Sequence, residues 1–199
     1  VTADQHVPDP YAIVAVAASA GGIRGLGVFL GSLAPGLRVP VLVVQHLDRR
    51  HRSFIAEILG RKSSLPVKLA EDREHVEAGT VYVAPPDRHL LVGPEGVLTL
   101  SSDALVHFVR PSADRLFESV ADAYGPRAIA CVLTGTGVDG ATGVLAVKSH
   151  GGTVIAEDPQ TAEFRGMPEA AVQTGAVDFV LPLDEIAAAV RGLTETKRQ

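Results

Sequence analysis

The stretch Ile13-Val14-Ala15-Val16-Ala17-Ala18-Ser19-Ala20-Gly21-Gly22 sets an unbroken apolar run against a hydroxyl and a pair of glycines. An apolar run without alternation is the pattern of a strand buried on both faces. The glycines mark a tight turn into a helix. A strand over residues 13–17 that feeds a helix is the first half of a parallel βαβ unit. Its end is also a place where a turn lifts a serine clear of the sheet and aims helix N–H groups at a substrate. Ser19 is therefore a candidate nucleophile. Taken alone, the simpler role is a cap for the following helix.

Working outward, the alternation continues to the far end of the chain. Residues 39–44, 67–69, 80–84, 128–133, 153–156 and 178–181 read as further short strands. Helical patterns fall between them: from Gly21 to about residue 33, over 53–59, from a Ser112 cap to Tyr124, over 141–149 and over 184–190. Two short apolar runs around Gly93-Pro94-Glu95-Gly96 read as a β-hairpin. The expected fold is α/β: a doubly wound, mainly parallel sheet with helices on both faces and a β-hairpin insertion. Residues 1–10 read as a disordered arm or linker remnant, 11–193 as one domain, and 194–199 as a frayed tail.

Composition narrows the function classes. A chain of 199 residues with 46% apolar content is enough for one well-filled core. A net charge of −5 without a Lys/Arg-rich run argues against nucleic-acid binding. Polar residues interrupt every apolar run before bilayer-spanning length, so no membrane insertion is expected. No secretory signal pattern is present, which favours a cytoplasmic setting. The single cysteine, Cys131, lies in an apolar strand-like run and reads as a small buried hydrophobe.

Two later segments also sit just past strand-like runs. Gln45-His46 follows Val41-Leu42-Val43-Val44, an unexpected polar pair for a buried strand, and offers an imidazole. Thr134-Gly135-Thr136-Gly137-Val138-Asp139-Gly140 offers a carboxylate, Asp139, from a glycine-rich loop. Ligands of such sheets gather outside the carboxyl ends of the strands. Ser19, His46 and Asp139 could then meet as nucleophile, base and orienting carboxylate. Their chain order matches none of the common serine-hydrolase folds, and Ala17-Ala18-Ser19-Ala20-Gly21 lacks the first glycine of a nucleophile elbow. The glycine loop would also suit a phosphate. It follows neither G-x-G-x-x-G nor a Gly-Lys-[Ser/Thr] pattern, so a nucleotide site is not expected. His46 and His51 have the wrong spacing for a metal on one helix face; no metal or other cofactor is expected.

Together these segments resemble the catalytic domain of the chemotaxis receptor methylesterases, the CheB family. The resemblance runs from about Tyr11 to Leu193. It rests on Ala18-Ser19-Ala20-Gly21-Gly22, Gln45-His46, Glu71-Asp72, Tyr82-Val83-Ala84-Pro85-Pro86-Asp87-Arg88-His89, Arg110-Pro111-Ser112-Ala113-Asp114, Leu133 to Gly140, and Gly166-Met167-Pro168, in that order. It implies Ser19 as nucleophile, His46 as general base and Asp139 as the carboxylate. The substrate it implies is a γ-glutamyl methyl ester on the cytoplasmic helices of a methylated chemoreceptor, with glutamine deamidation as a second reaction. Backbone N–H groups near His46 and Thr136 become candidate oxyanion donors. Ala20, Thr136 and Val109 stand where the family often has a hydroxyl residue, Met and His. The resemblance also implies a receiver domain ahead of this segment, where about ten residues precede Tyr11 here.

Overall fold

The computed structural model describes residues 11–47 and 53–195. The arm at 1–10, His51 and residues 196–199 lie outside the described residues. Seven strands form one parallel sheet: β1 (Ile13–Ala18), β2 (Val41–Gln45), β3 (Val67–Leu69), β4 (Val81–Val83), β7 (Ala128–Val132), β8 (Thr153–Glu157) and β9 (Phe179–Leu181). Their order is β3-β4-β2-β1-β7-β8-β9. A separate antiparallel pair, β5 (His89–Val92) and β6 (Leu98–Ser101), is the expected hairpin.

The alternation of side chains along β1 shows how the sheet makes two cores. Val14, Val16 and Ala18 face α1 (Gly22–Gly31), α2 (Ile55–Gly60) and α6 (Leu183–Thr194), meeting Leu26, Phe29, Leu30, Leu59 and Val190. Ile13, Ala15 and Ala17 face α3 (Ala113–Tyr124), α4 (Ala141–Ser149) and α5 (Gly166–Gln173), meeting Leu116, Phe117, Val120, Val144 and Met167. A strand apolar at every position is what two covered faces require. The doubly wound fold follows directly from that run.

The differences from the expected elements are local. Helix α5 is not signalled by periodicity, because its first turn holds Gly166 and Pro168 and its apolar face is narrow. Thr194, expected to fray, instead closes α6, buried and donating its hydroxyl to the Val190 carbonyl. Edge strand β9 leaves Phe179 and Val180 exposed. Among the described residues no helix is long and apolar enough to cross a membrane.

For the site, the decisive feature is the position of β1. From it the chain runs to β2, on to β3 at the edge and back to β4 between those two, and then crosses to build β7, β8 and β9 on the other side. The reversal lies between β1 and β7, and the loops leaving these strands diverge there into a crevice.

Candidate active site

Strand register brings two of the three candidates side by side. Ala18 pairs with Gln45, so Ser19 and His46 are the next residues along two adjacent parallel strands. The His46 N–H donates to the Ala18 carbonyl at 3.1 Å, and the Ser19 N–H donates to the Thr134 carbonyl at 3.0 Å. Ser19 is thus tied to β7 on one flank and neighbours His46 on the other. It does not cap α1: the N-cap of that helix is Gly21, in a left-handed conformation with φ of 73°, and no side-chain hydrogen bond caps it. The Ser19 side chain is left available at the rim of the sheet.

The third candidate arrives from the loop after β7. Asp139 Oδ2 lies 2.7 Å from His46 Nε2, and both side chains are largely withdrawn from solvent. Asp139 is also seated on the N-terminus of α3. Its carboxylate accepts the Ala113 N–H at 2.6 Å, the Asp114 N–H at 3.2 Å and the Ser112 hydroxyl at 2.7 Å. Burial alone would push its pKa up. Hydrogen bonds from His46, Ala113 and Ser112 outweigh that and hold the carboxyl below its ordinary value. The helix end adds a favourable field for the anion. Asp139 is therefore a buried, ionised partner for the imidazole.

Several motif residues outside the trio serve as scaffolding. Asp114 caps α4, accepting from the Gly140 and Gly143 N–H groups at 2.9 and 2.7 Å. Burial pushes its carboxyl up, against the pull of those N–H groups and with the Asp139 charge adding to the rise. His107 touches its other oxygen at 3.1 Å. His107, Asp114 and Asp139 gather within 4.8 Å of one another, and these hydrogen bonds account for the gathering. His89 is fully buried: Nδ1 accepts the Ser112 N–H at 3.2 Å, so Nε2 carries the proton donated to the Ala104 carbonyl at 3.0 Å. Arg110 binds Asp87 and the carbonyls of Ser102 and Asp103. Arg165 pairs with Glu169, and Asp72 accepts the Leu100 N–H.

The glycine loop is shaped by close approach. Gly135 donates to the Phe164 carbonyl and accepts from the Met167 N–H, each at 2.9 Å. A Cβ on Gly135 would overlap Met167 Sδ and stand 2.9 Å from Ser19 Cβ. Of the two expected oxyanion donor regions, the His46 N–H is engaged with Ala18, whereas Thr136 is exposed and its N–H makes no hydrogen bond among the described residues. Phe108 is 92% exposed one residue from His107, with left-handed φ at both positions.

Comparison with known proteins agrees with this architecture. Residues 14–190 match the family model described as CheB methylesterase. The chain is 41% identical over 186 residues to a protein-glutamate methylesterase/protein-glutamine glutaminase of Paramagnetospirillum magneticum, covering 92% of this chain and 49% of that one. It is 37% identical to a putative protein of the same description from Leptospira interrogans, covering 89% of this chain and 92% of that one. The crystal structure of the Thermotoga maritima CheB methylesterase catalytic domain superposes with a TM-score of 0.88 at 38% identity, covering 92% of this chain and 98% of that one. The chain thus spans about half of the first relative and nearly all of the second.

Proposed function

The chain belongs to the CheB methylesterase family, and from that premise we propose that it is a serine hydrolase cleaving γ-glutamyl methyl esters on the cytoplasmic helices of chemoreceptors. Glutamine side chains at such positions would be deamidated by the same route. One observation supports this reading above the others: a buried, hydrogen-bonded Asp139 holds His46 beside an uncapped Ser19 at the sheet reversal.

Each side chain then has a defined task. With Nε2 engaged by Asp139, Nδ1 is the ring nitrogen that takes the Ser19 proton. This reverses the usual arrangement, in which the carboxylate holds Nδ1. Ser19 Oγ adds to the ester carbonyl as its proton passes to His46. Collapse of the tetrahedral species breaks the bond to the methoxy oxygen, and His46 returns the proton to departing methanol. For an amide the leaving group is ammonia. Water, deprotonated by His46, then adds to the acyl-serine and releases the glutamate carboxylate and Ser19. Asp139 stays ionised throughout and stabilises the transient imidazolium.

The oxyanion needs donors, each worth about 2.7–4 kcal/mol in the transition state. The exposed Thr136 N–H is our candidate. The test is mass spectrometry of a methylated, glutamine-containing receptor bundle incubated with the protein. Loss of the 14-dalton methyl increment, abolished in Ser19→Ala and in His46→Ala, is expected. An unchanged bundle would favour a domain that binds helical partners without turnover.

A further inference from the structure

Gln45 is the last residue of β2 and is 3% exposed. The rest of that strand is Val41-Leu42-Val43-Val44, so an amide here breaks an otherwise apolar element. Its Nε2 donates to two backbone carbonyls, Ser19 O at 2.8 Å and His46 O at 2.9 Å. These partners fix the amide orientation, since the flipped form would press its oxygen against two carbonyl oxygens. Both N–H bonds are used.

The side-chain oxygen tells the complementary story. Gln45 Oε1 is buried and has no hydrogen-bond partner among the described residues. A buried acceptor without a donor costs stability, which the two bonds from Nε2 to the Ser19 and His46 carbonyls offset in part. The cavity that admits the oxygen is bounded by Gly22, where a methyl group would overlap it. The first turn of α1 is therefore open to this amide only because residue 22 has no side chain.

Strand pairing does not make the same connection. The β1–β2 register ends at Ala18 and Gln45, and Ser19 and His46 are not paired with each other in it. The Ser19 N–H goes to Thr134 and the His46 N–H to Ala18. Gln45 alone among the described side chains joins the carbonyls of both residues. A planar amide with two donors sets their separation as a rigid spacer.

We propose that Gln45 is a positioning residue that fixes the distance between Ser19 and His46, with Gly22 supplying its space. The inference rests on Ser19 being the nucleophile. Misplacing a reacting group by about 1 Å can lower rate about 10²-fold.

The experiment measures fluorophosphonate labelling at Ser19, separating the maximal rate from half-saturation, alongside the thermal midpoint. Gln45→Leu should lower the maximal rate about 10²-fold and leave half-saturation within about twofold, in a protein that its thermal midpoint shows to be folded at the assay temperature. A wild-type rate in Gln45→Leu overturns the proposal, and so does a loss carried by half-saturation rather than by the maximal rate. Should Gln45→Leu not fold, Gln45→Met keeps the unbranched shape without the two donors and carries the same outcomes. Absence of labelling in the wild-type protein is a separate result: it removes the serine-nucleophile reading and this proposal with it.

Discussion

Ser112 donates its hydroxyl hydrogen to Asp139 at 2.7 Å through the same oxygen that accepts the Arg115 N–H at the start of α3. One side chain both caps a helix and seats the carboxylate that holds His46. Helix formation and assembly of the site are thereby coupled at a fully buried position.

Ser112→Ala removes both functions. Loss of a cap costs about 0.5–2 kcal/mol, and loss of a hydrogen bond to a charged group about 1.5–3 kcal/mol. A combined destabilisation of about 2–5 kcal/mol is expected in urea unfolding, together with slower ester hydrolysis. Full activity in the variant would show that α3 does not hold Asp139 in its working position.

The acid side of the stability profile should respond to Asp139. Its folded pKa is lowered, despite burial, by His46, Ala113 and Ser112. Its contribution is therefore present above the unfolded value of about 3.9 and is lost as pH falls through the depressed folded value. Asp114, raised by burial, works in the opposite direction, taking up protons on folding only between its unfolded value and the raised folded one. Asp139→Asn should lower stability at neutral pH yet give a shallower decline below about pH 4. Urea midpoints measured across that range check the slope; parallel curves would contradict the assignment.

Gly135 lies between Ser19 and Met167. Gly135→Ala forces its methyl into Met167 Sδ and against Ser19 Cβ. Met167 is flexible enough to yield in part, but Ser19 Cβ is fixed by the backbone of β1. Overpacking of this kind costs about 1–3 kcal/mol. A larger effect is expected on fluorophosphonate labelling than on the thermal midpoint, because the displaced atom carries the proposed nucleophile. Labelling at the wild-type rate would mean that the loop, not Ser19, gives way.

Cys131 is fully buried in β7, and burial pushes its thiol up to about 12. Iodoacetamide at pH 8 should leave the folded protein unmodified and its hydrolytic activity intact, with labelling appearing only in denaturant. Rapid alkylation of the native chain would show that the sheet opens locally at its centre.

Much of this was legible in the sequence because it depended on local pattern. Apolar runs such as Ile13-Val14-Ala15-Val16-Ala17-Ala18 announce strands buried on both faces, and the polar pair Gln45-His46 at the end of another marks the sheet rim. Contacts between distant segments were not legible. Ser112 is recognisable as a cap from its neighbours, but its bond to Asp139 spans 27 residues. His89, Arg110 and Asp114 stand out only as motif members, and their partners come from other loops. Gln45 had a usable signal, an amide in a buried apolar strand, yet its two carbonyl partners depend on the β1–β2 register. Helix α5 was missed because its packing against the sheet, through Met167 and Ala171, overrides weak propensity.

The central place of β1 has a consequence for the timing of biosynthesis. His46 and its partner Asp139 are separated by 93 residues. During synthesis the chain completes Ser19, His46 and the whole β1-β2-β4-β3 half before Asp139 is made. Non-local pairing of this kind forms late and slowly. A nascent or truncated chain holding only the first half has a serine and a histidine but no carboxylate to orient them. On the proposed mechanism, hydrolytic competence arrives with the second half of the sheet, once the loop after β7 brings Asp139 to His46.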